Sequence, residues 1–136
     1  MKQVTTPNSG SYSNLDKAKA SAAQWARTKV GTCYSQQTRM GNPCYDCSSL
    51  VYLSYKQAGI DNMPLTTRMY ATSSKVKEIS DHNNLQVGDM LWKDGHVGLY
   101  VGNQEVVNAE NEKNGVKLRS LESYKKRFTK VYRVVA

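Results

Sequence analysis

The chain has 136 residues, 39% of them hydrophobic, with a formal net charge of +8 and a pI near 9.4. That length allows one compact domain with a core of its own, needing neither metals nor several disulfides to hold it. No apolar run approaches the ~18 residues a membrane-spanning helix needs, and Met1-Lys2 runs into polar residues rather than the apolar segment of a signal peptide.

Residues 1–14 are small and polar, with Pro7 and Gly10, and are expected to form a flexible lead to a domain over residues 15–136. Asn14 is placed to cap a helix over Leu15–Lys29, whose alanines favour helix and which Gly31 stops. Residues 32–45, with Gly41, Asn42 and Pro43, read as loop. A second helix is predicted over Cys47–Ala58, with Asp46 as N-cap and Gly59 just past its end. Cys47, Leu50, Val51 and Ala58 give it an apolar side, interrupted by Ser54. Residues 61–84 read as polar and irregular, with a short helix near Thr66–Ser73.

The character then changes. Val87-Gly88-Asp89 is a turn into a strand at Met90–Trp92, and Lys93-Asp94-Gly95 is a hairpin signal before a strand at His96–Val101. Further strands are predicted at Glu105–Asn108, Val116–Leu118 and Val131–Val135. Helices followed by an antiparallel sheet make an α+β domain. The positive charge concentrates at Lys113, Lys117, Arg119, Lys125, Lys126, Arg127, Lys130 and Arg133. Such a surface suits polyanions, or is simply a solvated face. Nothing resembles a helix-turn-helix, a zinc finger or an RNA-stacking platform, so nucleic acid is the weaker partner.

Three cysteines, at 33, 44 and 47, leave at least one thiol unpaired within the chain. The simplest partition makes Cys47 reactive and leaves Cys33 and Cys44 available to each other, which would imply an oxidising compartment. Cys47 sits at the predicted first turn of the second helix, where free N–H groups and the helix dipole favour a thiolate and can stabilise an oxyanion. It needs a base. Of the two histidines, His82 lies in a polar loop and reads as a surface residue, whereas His96 begins a strand flanked by Gly95 and Gly98, a sign of close approach by another group. Asn108, on the following strand, can lie on the same side of the sheet and hold its ring. Two other sets of ligands use the same cysteines: a Cys44-x-x-Cys47 redox pair, which Asp46 disfavours, and a zinc site from the three cysteines and a histidine, which lacks a second paired spacing. A binding module with a vestigial site is the non-enzymatic alternative.

Four segments, taken in order, resemble the NlpC-type cell-wall cysteine peptidases, a papain-like family: Gly31-Thr32-Cys33-Tyr34, Tyr45-Asp46-Cys47-Ser48-Ser49-Leu50-Val51, Leu85-Gln86-Val87-Gly88-Asp89, and Gly95-His96-Val97-Gly98-Leu99-Tyr100-Val101-Gly102. Ser49 stands where the family usually has glycine, a variant similar to that of phage lysin catalytic domains, and Tyr34-Ser35-Gln36-Gln37 lacks the common Trp-Gly-Gly continuation. The resemblance implies a papain-like fold, with the nucleophile at a helix N-terminus packed on an antiparallel sheet. It implies Cys47, His96 and Asn108 as catalytic residues, with Tyr34, Ser48 and Asp46 near the oxyanion or substrate. The implied substrate is a peptidoglycan stem peptide, cut between γ-D-glutamate and the diamino acid, or between muramic acid and L-alanine as in phage relatives. No cofactor or metal is called for; anionic wall polymers are a candidate second partner, and a monomer acting outside the cytoplasm, or delivered to the wall by a phage, is expected.

Overall fold

Small side chains decide how the N-terminal half packs. The computed structural model describes residues 14–135, and helix α1 (Asn14–Thr28) turns Ala18, Ala22, Ala23 and Ala26 into the core. Alanines on the contact face let a neighbouring helix approach closely, and helix α2 (Cys47–Gln57) packs there. The Ser54 that interrupts the apolar side of α2 is itself buried, and its hydroxyl donates to the Leu50 carbonyl at 2.6 Å, so no polar group is left unpaired. The lead at residues 1–13 lies outside the described residues, and Asn14 belongs to α1 rather than to the lead.

The C-terminal part is one antiparallel sheet of β1 (Val76–Ile79), β2 (Met90–Lys93), β3 (His96–Gly102), β4 (Glu105–Ala109), β5 (Val116–Ser120) and β6 (Lys130–Val134), in the order β1-β6-β2-β3-β4-β5. Alternation along the central strands splits the core. Val97, Leu99 and Val107 join Leu50, Val51 and Tyr55 of α2 in one cluster, while Tyr100, Val106, Leu91 and Val131 join a second with Leu121 and Tyr124 of the short helix α3 (Leu121–Tyr124). Two elements depart from the sequence reading. Strand β1 falls within the stretch expected to be irregular, because its mostly exposed side chains carry little apolar signal and its partner β6 lies at the far end of the chain. Helix α3 is too short to show periodicity.

The Val87-Gly88-Asp89 turn fixes how helices and sheet meet. Gly88 has φ +95°, and a Cβ there would stand 2.5 Å from the Tyr55 hydroxyl, which donates to the Gly88 carbonyl at 2.6 Å. Asp89 is fully buried and takes Arg133 of β6 bidentately at 2.8 and 2.9 Å. The basic C-terminal third is therefore only partly a solvated face: Arg119 and Arg127 pair with Glu110, Lys130 with Glu78, and Arg133 with Asp89.

Candidate active site

The nucleophile candidate is held by a cap. Asp46 is the N-cap of α2; its carboxylate accepts the Ser49 N–H at 2.8 Å, and the Ser49 hydroxyl oxygen accepts the Asp46 N–H at 2.9 Å. The same hydroxyl donates to the Arg39 carbonyl at 2.5 Å. Cys47 is thereby fixed as the first helical residue, 8% exposed. Just before it, Cys33 and Cys44 form a disulfide, with Cα atoms 4.8 Å apart. The redox pair thus lacks Cys44 as a partner for Cys47, and the zinc site lacks two of its three thiols, because Cys44 is bonded to Cys33.

Two clefts meet at Gly95. One, of about 270 Å³, is lined by Tyr34, Gln36, Arg39, Asp46, Cys47, Ser48 and residues 66–68. The other, of about 520 Å³, is lined by His96, Asn108, Glu110, Lys93, Asp94, Asn111, Asn114 and Arg127. Gly95, the residue before His96, borders the cleft of Cys47 as well, and α2 packs against the strand that His96 begins.

On the sheet side, His96 Nε2 and Asn108 Oδ1 are 2.9 Å apart. The proton can be placed. The Asn108 amide nitrogen faces the Glu110 carboxylate at 3.1 Å and the Lys117 carbonyl at 3.3 Å, both of which only accept. The amide oxygen therefore faces the ring, Nε2 carries the hydrogen, and Nδ1 is the basic nitrogen. The glycines flanking His96 act differently. Gly95 turns the hairpin at φ +83°, and a Cβ there would meet nothing within 4 Å, whereas a Cβ on Gly98 would stand 2.6 Å from the Tyr124 hydroxyl and 2.9 Å from Val106.

Burial works against charge on both members of the pair. It pushes the Cys47 thiol above its ordinary value, with Asp46 adding to the effect and the N–H groups of Val97, Ser48 and Cys47 itself opposing it. The N–H groups of the helix terminus thus favour the thiolate, as expected, while burial opposes it. Burial likewise lowers His96, helped by Lys93 and Arg127, while Asn108 and Glu110 pull the other way.

The remaining sequence-predicted residues divide by what they touch. Tyr34 lines the cleft and accepts a hydrogen bond from Gln36 at 2.7 Å. Ser48 is buried beneath Arg39, which donates to its hydroxyl at 3.1 Å. Asp46 borders the cleft, but its carboxylate is engaged by the cap and by Arg39 at 2.6 Å. His82 is exposed, its ring 5.9 Å from Phe128.

Sequence reasoning missed two contributors. Arg39 spans Asp46, Ser48 and the Leu65 carbonyl. Glu110, its side chain 4% exposed, holds Asn108 and pairs with Arg119 at 2.6 and 2.7 Å. An acid two residues beyond Asn108, just past the end of β4, was the only signal of it.

The sequence model of the NlpC/P60 family matches residues 31–133. The chain belongs to the NlpC/P60 family. It is 34% identical over 97 residues to the probable endopeptidase p60 of Listeria seeligeri, covering 68% of this chain and 17% of that protein. It is 32% identical over 107 residues to the peptidoglycan DL-endopeptidase CwlO of Bacillus licheniformis, covering 73% of this chain and 23% of that one. The chain thus spans under a quarter of these curated relatives. NlpC1 of Trichomonas vaginalis superposes with a TM-score of 0.68 at 26% identity, over 87% of this chain and 42% of that one. Within this NlpC/P60 domain the unusual Ser49 has a local reason, since it completes the cap that presents Cys47.

Proposed function

We propose that this chain is a cysteine peptidase that hydrolyses the peptidoglycan stem-peptide amide between γ-D-glutamate and the diamino acid, through an acyl-enzyme on Cys47. The observation that carries this reading is the meeting of two clefts at Gly95, one holding the free thiol of Cys47 and the other a histidine whose ring Asn108 holds at 2.9 Å. Family membership and the endopeptidase names of relatives that this chain partly spans support the substrate class.

Burial disfavours charge on each group by itself, so the thiolate and the imidazolium must stabilise one another where they form. His96 Nδ1 takes the thiol proton and the sulfur attacks the carbonyl. The tetrahedral oxyanion lies at the α2 N-terminus, with Tyr34 at the cleft wall. The imidazolium then protonates the departing amine; the C–N bond breaks and a thioester remains. Water, deprotonated by His96, releases the acid and restores the thiol. Asn108 keeps Nε2–H bonded throughout, which fixes Nδ1 as the transferring atom. The site is expected to act outside the cytoplasm, where the Cys33–Cys44 bond persists. Among the described residues no helix is long and apolar enough to cross a membrane.

The test is digestion of insoluble peptidoglycan with wild type and Cys47→Ala, the released fragments being identified by mass spectrometry. New amine ends at the diamino acid are expected from wild type, with a loss of about a thousandfold or more in the variant. Free muramic lactyl groups would replace the endopeptidase with an amidase. Intact wall under both proteins, across several wall chemistries, overturns the peptidase.

A further inference from the structure

We propose that Glu110 is a positioning residue of the reaction centre: its carboxylate fixes Asn108 and supplies the negative charge that supports a proton on His96, while Arg119 sets how much of that charge His96 feels. The proposal rests on the peptidase reading above but can be tested without substrate.

The geometry begins with the carboxylate. Glu110 lies just past β4, its side chain 4% exposed, and its oxygens accept from Asn108 at 3.1 Å, Asn114 at 3.0 Å, Arg119 at 2.6 and 2.7 Å and Arg127 at 3.3 Å. A carboxylate so saturated stays ionised, and Glu110 is held down to about 2, chiefly by Arg119. An Asn108 amide between a permanent anion and an imidazole has only one orientation. Its nitrogen must face Glu110, so its oxygen must face His96 and the ring must present N–H there. Glu110 thus selects the tautomer through one intermediary.

Its charge has a second effect. The groups around His96 are Lys93, Arg127 and Glu110, with Asp94 lining the same cleft and the Tyr124 ring centroid 6.3 Å away. Lys93 and Arg127 oppose an imidazolium; Glu110 favours one. The reaction must place a proton on His96 in a setting where burial resists it, so Glu110 lowers the cost of the step that forms the nucleophile. Arg119, 34% exposed and bidentate on the same carboxylate, partly neutralises it.

The opposing account is that Glu110 and Arg119 merely clip β4 to β5. The two accounts differ in what they do to His96: a positioning carboxylate moves its titration, in opposite directions for the two variants, and a clip leaves it unmoved. The chain has only two histidines, so the ring C–H signals of His96 and His82 can be followed by NMR titration, with the exposed His82 as internal control. Glu110→Gln is expected to move the His96 midpoint down by about half a pH unit, and Arg119→Gln to move it up by a similar amount. His82 should not move in either. Turnover of a stem-peptide substrate should fall about tenfold in Glu110→Gln, in kcat rather than KM. A clip would lower the melting temperature of both variants and leave the His96 midpoint at the wild-type value, which overturns the proposal, as does a shift of the same sign in both. If Glu110→Gln does not fold, the upward shift in Arg119→Gln decides alone. A wild type inert on every wall would sink the peptidase reading and leave the titration result standing.

Discussion

Asp89–Arg133 and Glu110–Arg119 are the same chemical object in two places: a buried carboxylate gripping an arginine bidentately across strands. Their other partners separate them. Asp89 also accepts the Gln86 N–H at 2.8 Å and so closes the turn that leads into β2, touching neither Cys47 nor His96. Glu110 also accepts Asn108, which holds the ring of His96. The pair itself says nothing about role; the third group on the carboxylate does. One acid therefore serves the joint between helices and sheet, and the other serves the chemistry.

The largest effect should come from the pair with no chemical duty. Asp89→Asn leaves Arg133, its side chain 17% exposed, without its counter-charge and is expected to lower stability by about 3 kcal/mol. Turnover of the fraction that remains folded should match wild type. Denaturant melts and active-site-titrated kinetics check both halves, and a lowered kcat at full folding would mean that the joint also shapes the site.

The contrast between these pairs also shows what the sequence could reveal. The cap, the turns and the strand holding His96 were legible because their determinants are local: Asp46 precedes its helix, Gly95 sits in its hairpin, and Asn108 follows a short turn. Arg39, Glu110 and strand β1 were not, because each acquires meaning from partners set by tertiary register. The Cys47 thiol shows the limit of local rules most plainly. The helix terminus does supply N–H groups to the sulfur, but burial under the sheet outweighs them, and no pattern in the sequence states how deeply one residue will be covered. The disulfide was legible only as a partition, since counting cysteines leaves open which two meet.

A change that disturbs His96 without altering either acid sharpens the comparison. Gly98→Ala places a methyl 2.6 Å from the Tyr124 hydroxyl and 2.9 Å from Val106. Both neighbours are fully buried, and a stability loss of about 2 kcal/mol is expected, with reduced turnover because β3 carries His96. Tyr124→Phe should relieve part of this, since it removes the clashing oxygen. By itself Tyr124→Phe should be neutral or slightly stabilising, because that buried hydroxyl has no hydrogen-bond partner among the described residues. Melting temperatures of the single and double variants test the coupling, and strict additivity would show that the tyrosine is not the obstacle.

The smallest effect belongs to a third carboxylate–arginine pair, Asp46–Arg39, which shares features of the other two. Like Asp89, Asp46 fixes a junction, the start of α2; like Glu110, it borders the cleft. Ser49→Ala probes which matters more. It removes the hydroxyl that accepts the Asp46 N–H and donates to the Arg39 carbonyl, yet leaves the carboxylate on Arg39 and on the residue 49 N–H. If the cap is mainly structural, stability falls by about 1 kcal/mol and kcat changes less than about twofold. If the orientation of the first helical turn is what presents Cys47, kcat falls well beyond that while the melting temperature hardly moves. Parallel melts and single-turnover acylation of Cys47 separate the two, and the bonds that hold Arg39 in place without Ser49 favour the first.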